Sequence, residues 1–255
     1  MSNLDPSFLL TTTGAATHPG LVRPINEDRF LVLPESGVWA IADGMGGHEA
    51  GALASQTVVA ALKSISVPVS ATDLLAQLED RIIRADAQLK EIARQHGHNA
   101  VIGSTVAVLL LFNRHYACVW SGDSRLYLVR AARIVQISRD HTEVQELIDQ
   151  GVLHPDEAKT WPRRNVVTRA LGAYDAPELD LDQGSIEPGD VFVICSDGLT
   201  SHVADDEILA HTVNEHPQAA SDALLALALE RGGVDNITVV IVRCSGSSPQ
   251  EGTAS

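Results

Sequence analysis

Apolar and polar positions divide the chain into short strand-like runs and longer amphipathic stretches. Residues 29–33 and 37–42 are two apolar or alternating runs separated by Pro34-Glu35-Ser36, a pattern that predicts a β-hairpin. Beyond a glycine-rich stretch, Ala54, Val58, Ala61, Leu62 and Ile65 recur at three- and four-residue steps, and Leu75, Leu78, Ile82, Ala85, Leu89 and Ile92 do so more cleanly. This spacing predicts two amphipathic helices, broken near Val67-Pro68 and ended near Gly97. Residues 103–137 are rich in Val, Leu, Ile, Tyr and Phe, with turn signals at Asn113-Arg114 and Gly122-Asp123. Three or four consecutive antiparallel strands are expected there.

Residues 141–150 carry a helical pattern, and then 151–169 lose periodicity and hold Pro155, Trp161, Pro162 and the pair Arg163-Arg164. A surface flap, around 143–170, is the expectation. Strands are predicted again at 179–186, 191–195 and 237–242, with helices at 205–214 and 218–230. Residues 245–255 are small, polar or Pro/Gly, the composition of a disordered tail. Strand runs interrupted by helix pairs predict an α+β protein rather than a doubly wound parallel sheet. The order of the strands is not readable.

Length and composition fit one soluble domain: 255 residues, 45% hydrophobic and 20% charged. The expected division is an extension over 1–13, a domain over 14–244 and the tail. A net charge of −15 repels nucleic acid and anionic membrane surfaces. The longest apolar run, 106–112, is far below the roughly 20 residues of a spanning helix. Residues 1–13 lack a basic start followed by an apolar signal core, so a cytoplasmic protein is expected. Cys118, Cys195 and Cys244 form no C-x-x-C pair and stand in strand-like runs, as buried free thiols do.

The chemistry concentrates at the ends of strands. "VWAIADG" ends at Asp43, "VWSGDSR" at Asp123 and "VFVICSDG" at Asp197, while "GGVDNITVVIV" places Asp235 just before an apolar strand. Each Asp-Gly or Asp-Asn pair alone would mark a turn. Four such carboxylates converging would repel one another unless protonated, paired with cations or bound to metal. Only 18 Lys and Arg exist in the chain, none a close sequence neighbour of Asp43, Asp197 or Asp235. Oxygen ligands without Cys or clustered His select Mg²⁺ or Mn²⁺ over zinc. Glycine beside these aspartates removes Cβ and lets backbone carbonyls, water and substrate approach.

The segments "RPINED" (23–28), "ADGMGGHEAG" (42–51), "GSTV" (103–106), "SGDSRLY" (121–127), "DHT" (140–142), "TRALG" (168–172), "SDGL" (196–199) and "DNITVV" (235–240) stand in this order. Together they resemble the bacterial metal-dependent type 2C protein serine/threonine phosphatases, over about residues 14–242. The resemblance implies a four-layer αββα fold, two packed antiparallel β-sheets flanked by pairs of α-helices, with a metal centre in a cleft at one end. It implies two Mn²⁺ or Mg²⁺ ions, bridged by Asp43 and held by the Gly44 carbonyl, Asp197 and Asp235. Asp28 resembles a residue holding metal-bound water, and Asp123 the ligand of a weaker third ion. A two-metal-activated water would attack phosphorus in line, with no phosphoenzyme.

Arg23 matches the family's phosphate-binding arginine, and a guanidinium suits phosphate bidentately. Glu27 and Asn236 are expected as outer partners of the site. Animal members carry histidine after the first Asp-Gly, a proposed general acid. Met45 occupies that position here and cannot donate a proton, leaving metal-bound water or His48. Arg163 and Arg164 are expected, at most, to recruit acidic phosphosubstrates from the flap.

The function implied is hydrolysis of phosphoserine and phosphothreonine in proteins, opposing a bacterial Hanks-type kinase and acting on its substrates. Some bacterial relatives serve type VI secretion control. A monomer is expected, with no nucleic-acid or membrane partner. A phosphoprotein-binding pseudophosphatase is the alternative, and it would require a lost metal ligand. A metal-dependent nuclease is disfavoured by the charge and by the absence of a basic, aromatic-bearing stripe.

Overall fold

A computed structural model describes residues 10–47, 49–97, 101–158 and 160–246. The chain opens with β1 (Leu10–His18), β2 (Asp28–Leu33) and β3 (Val38–Met45), followed by α1 (Glu49–Leu62) and α2 (Ala71–His96). Strands β4 (Gly103–Ser104), β5 (Val106–Phe112), β6 (His115–Ser121), β7 (Arg125–Arg130) and β8 (Arg133–Gln136) come next. Two short helices, α3 (Glu143–Asp149) and α4 (Pro155–Ala158), lead to β9 (Asp180–Ser185) and β10 (Val191–Cys195). The remainder is α5 (Asp197–Thr200), α6 (Asp205–Asn214), α7 (Pro217–Glu230) and β11 (Ile237–Ser245).

The strands form two antiparallel sheets, ordered β1-β11-β10-β7-β8 and β2-β3-β5-β6-β9, with β4 added beside the end of β3. Period-two alternation explains why β3 reads as an unbroken apolar run. Trp39 and Ile41 face the seam between the sheets, with Leu109, Leu126, Phe192 and Val240. Val38, Ala40 and Ala42 face the other way, against Val58 and Leu62 of α1 and Leu78 and Ile82 of α2. On the far side, Val193, Val239 and Ile241 pack under Ile208 of α6 and Leu224 and Ala228 of α7. The central strands β3, β5, β10 and β11 are buried on both faces, and the result is the expected four-layer arrangement.

Helix α2 starts where its sequence supplies a cap. The Ser70 hydroxyl accepts from the Asp73 N–H at 3.0 Å, and Asp73 accepts from the Val69 N–H at 2.9 Å. Its fully buried stripe runs through Leu74, Leu78, Ile82, Ala85 and Leu89, so Leu74 takes the innermost position and Leu75 packs at the edge.

Strand β1 is not predicted by the hydrophobic pattern. Its sequence LTTTGAATH has small and polar residues, yet it pairs with β11 along its whole length, from Leu10 opposite Ser245 to His18 opposite Ile237. Residues 10–13, read as part of an extension, therefore belong to a sheet. Gly14 explains part of the composition, since a Cβ there would lie 2.2 Å from the Pro217 carbonyl oxygen at the start of α7. Of the expected tail, residues 247–255 lie outside the described residues. Cys118, Cys195 and Cys244 are free and buried, as expected.

Candidate active site

Each strand-end carboxylate reaches the same end of the sandwich. Asp28 opens β2 directly opposite Asp43 near the end of β3. Asp123 sits in the turn from β6 to β7, Asp197 opens α5 after β10, and Asp235 precedes β11. Asp43, Asp123, Asp197 and Asp235 line one cavity of about 400 Å³, shared with Arg23 and Glu27. Asn165 and Val167 of the flap region also line it.

Buried hydroxyls fix this end of the fold. The Thr105 hydroxyl accepts from the Asp43 N–H at 3.2 Å and lies 2.9 Å from the Ser124 hydroxyl. The Thr105 N–H donates to the Asp43 carbonyl at 2.8 Å, and the Ser104 hydroxyl donates to the same carbonyl at 3.0 Å. Asp28 Oδ2 accepts from the hydroxyls of Ser196, at 2.8 Å, and Thr238, at 2.7 Å. These residues lie within motifs quoted above, but Ser and Thr carry no periodic signal that would have singled them out.

Two glycines are needed for close backbone approach. A Cβ on Gly44 would lie 1.9 Å from the Gly51 carbonyl oxygen, and one on Gly198 would lie 1.9 Å from the Asn236 carbonyl oxygen. Asn236 staples the loop that carries Arg23: its Oδ1 accepts from the Glu27 N–H at 2.7 Å and its Nδ2 donates to the carbonyls of Pro19 and Ile25.

The electrostatics are those of a cavity short of positive charge. Burial, followed by repulsion from Asp28, Asp197, Asp123 and Asp235, drives the Asp43 carboxyl well above its ordinary pKa. Asp197 is raised likewise, by burial and then by Asp123, Asp235 and Asp28. Asp123 is pushed up to about 7 by burial and then by Asp140. Asp28 rises to about 6 through burial, against the two hydroxyl donors that favour its charged form. Its Oδ1 is buried without a hydrogen-bond partner.

One cation escaped the reading of sequence neighbours. Arg23 Nη2 donates to Asp235 Oδ2 at 2.9 Å, across 212 positions of chain. Arg125 is nearby but committed, with a bidentate grip on Asp140. Among the described residues, no three His, Cys, Asp or Glu side chains already form a set that could hold a metal ion. The carboxylates instead ring an open cavity, an all-oxygen donor set suited to hard divalent cations that keep part of their water. The orphaned Asp28 oxygen and the upward pKa shifts fit such ions.

Other expected residues fall differently. Met45 lines the cavity, and His48 lies outside the described residues. Arg163 pairs with Glu143 at 2.7 Å, and neither Arg163 nor Arg164 lines the cavity.

A family model described as Protein phosphatase 2C matches residues 26–147. The protein phosphatase PhpP of Streptococcus pneumoniae is 33% identical over 210 residues, which cover 79% of this chain and 83% of PhpP. The chain belongs to the protein phosphatase 2C family. The serine/threonine protein phosphatase PstP of Mycobacterium tuberculosis is 37% identical over 235 residues, 91% of this chain, but the chain spans only 45% of PstP. Two solved structures agree in fold. PppA of Pseudomonas aeruginosa, described as a key regulatory component of T6SS, superposes with a TM-score of 0.85 at 37% identity, covering 92% of this chain and 97% of PppA. The catalytic domain of PstP in complex with 2 manganese ions gives 0.84 at 34% identity, covering 93% and 100%.

Proposed function

We propose that this protein is a serine/threonine protein phosphatase that hydrolyses phosphoserine and phosphothreonine esters with Mn²⁺ or Mg²⁺. The observation that carries the reading is the convergence of Asp28, Asp43, Asp123, Asp197 and Asp235 at one end of the sandwich, with one of the Asp28 oxygens orphaned. Asp43, the Gly44 carbonyl, Asp197 and Asp235 would hold two ions, and Asp123 a third. Bound there, the ions supply Lewis acidity that offsets phosphate charge and lowers the pKa of a water for attack on phosphorus.

The chain's own groups do the rest. Arg23 is half exposed and hinges on one exposed ion pair, an interaction of small net strength that a phosphate dianion displaces readily. Its planar donors then orient the phosphoryl group and cancel part of the repulsion from an acidic protein. Gly44, Gly46 and Gly47 keep side chains out of the approach to Asp43, while Asn165 and Val167 border the cavity from the flap side. The Met45 thioether holds no proton to give, so it leaves protonation of the departing serine or threonine to another donor.

The partners are phosphorylated proteins, a serine/threonine kinase and its substrates, in the cytoplasm, with the phosphatase as a monomer. Similarity to PppA supports a role in type VI secretion control. The test is turnover of a phosphothreonine peptide with Mn²⁺, with and without chelator, in wild type and Asp197→Asn. Turnover only in the metal-loaded wild type is expected. Activity surviving both treatments would remove the metal role, and binding without turnover in the wild type would make the protein a phosphoprotein reader.

A further inference from the structure

Beside the carboxylate cavity lies a second one, of about 380 Å³, lined by Val22, Pro24, Ile25 and Val234 together with Arg23, Glu27 and Gly47. Arg23, Glu27 and Gly47 also line the first cavity, so the two adjoin at the proposed phosphate-binding arginine.

The outer wall of this groove is apolar and open. The lining residues Val22 and Val234 are 65% and 51% exposed, and Leu21, next in the chain to Val22, is 66% exposed. Single exposed aliphatic residues are ordinary, but a cluster in a loop, where polar residues would cost nothing, marks a contact surface. The loop is also held in shape. The Leu21 N–H donates to the Gly233 carbonyl at 2.7 Å, and Asn236 binds the carbonyls of Pro19 and Ile25. Gly20 takes a φ of +80° and lies so close to the Asp235 carbonyl that a Cβ would be 2.2 Å away. A preformed surface loses little entropy when a ligand settles on it.

We infer that this groove receives an aliphatic side chain flanking the phosphorylated residue of the substrate, and thereby selects phosphoprotein segments with Leu, Ile or Val near the phosphothreonine. The inference rests on the phosphatase reading above. A peptide whose phosphate lies at Arg23 must leave the cavity over one of its rims, and this rim combines adjacency to Arg23 with a cluster of open aliphatic groups. Among the described residues, its charged lining groups are Arg23 and Glu27, which also line the first cavity. The far end therefore offers nothing to a charged flanking side chain and apolar area to an aliphatic one.

The test compares phosphothreonine peptides that carry Leu, Ser or Lys at successive flanking positions, using Mn²⁺-loaded enzyme and p-nitrophenyl phosphate as a substrate without flanks. At one position wild type should prefer Leu to Ser by about tenfold in kcat/KM. The Val22→Ser/Val234→Ser variant should lose that preference while p-nitrophenyl phosphate turnover stays unchanged. Val22→Asp should shift preference at the same position toward Lys. A wild type active on all peptides without a Leu preference, or a preference that survives in the variants, overturns the groove and leaves the phosphatase reading intact. A wild type inactive on p-nitrophenyl phosphate and on every peptide overturns both.

Discussion

Asp28 and Asp43 are cross-strand partners, directly opposed in the β2–β3 ladder, with Asp43 lining the cavity and Asp28 buried behind it. Opposed like charges destabilise a sheet, and burial compounds the effect. The protein tolerates the pair through hydroxyl donors from the opposite sheet, since Ser196 follows β10 and Thr238 lies in β11. The site thus joins the two sheets by polar contacts at the point where the apolar seam ends.

This pairing gives the metal-free protein a pH-dependent stability. The Asp28 pKa is raised to about 6 from an ordinary 3.8. A raised carboxyl binds more protons when folded than when unfolded, so its stabilisation is complete below pH 4 and is lost as pH rises through about 6. In chelator, wild type should be less stable at pH 8 than at pH 5. Asp28→Asn, which keeps an acceptor for both hydroxyls, should remove on the order of 1 kcal/mol of that difference, because roughly half of the full effect is already lost at pH 5. Urea unfolding at the two pH values measures it, and an equal pH dependence in both proteins would contradict the assignment.

Gly44→Ala should damage the fold and the site together. The added Cβ meets the Gly51 carbonyl oxygen at 1.9 Å and its carbon at 2.5 Å, backbone atoms at the start of α1 that yield only if the helix shifts. The expected cost is about 2 to 3 kcal/mol, or roughly 5–10 °C in Tm for a chain of this size. The Gly44 carbonyl moves with it, so the rise in Tm expected of wild type on adding Mn²⁺ should shrink. A variant with wild-type Tm and wild-type response to Mn²⁺ would show that the contact is relieved cheaply.

How much of this was legible in the sequence follows from the physics of each element. Asp43, Asp123, Asp197 and Asp235 were legible because each interrupts or borders an apolar run, and α2 because its stripe repeats at helical spacing. Strand β1 was not, since Thr, Ala and Gly facing a helix give no alternation. The Arg23–Asp235 pair was hidden because its partners are 212 positions apart. The hydroxyls of Thr105, Ser196 and Thr238 were hidden because a buried hydroxyl is defined by its partner and not by its neighbours in the chain. Strand order likewise depends on long-range pairing that local periodicity does not encode.

Arg23→Ala should lower kcat/KM on a phosphothreonine peptide by about a hundredfold, on the scale of losing a charge-assisted bidentate contact. Binding of Mn²⁺, followed by calorimetry, should remain, because removal of Arg23 frees Asp235 from its ion pair. Arg23→Lys should recover only a small part of the loss, since an ammonium is a point charge and not a planar fork. Full recovery by lysine would reduce the role of Arg23 to charge alone.

Thr105 is the hinge between two carboxylates that the sequence keeps far apart. Its hydroxyl accepts from the Asp43 N–H and pairs with Ser124, next to Asp123, and its side chain packs where a Cβ on Gly122 would lie 2.5 Å from the Thr105 Cβ. Thr105→Val preserves the volume but leaves the Asp43 N–H and the Ser124 hydroxyl without this partner in a buried place. The expected cost is about 1–3 kcal/mol, with weaker Mn²⁺ binding because the Asp43 and Asp123 segments lose their shared anchor. Thr105→Ser keeps the hydroxyl and drops only a methyl group, so it should retain Mn²⁺ affinity while losing some stability. Thermal unfolding with and without Mn²⁺ separates the two effects. If Val and Ser bind Mn²⁺ equally well, the hydroxyl holds the fold and not the site.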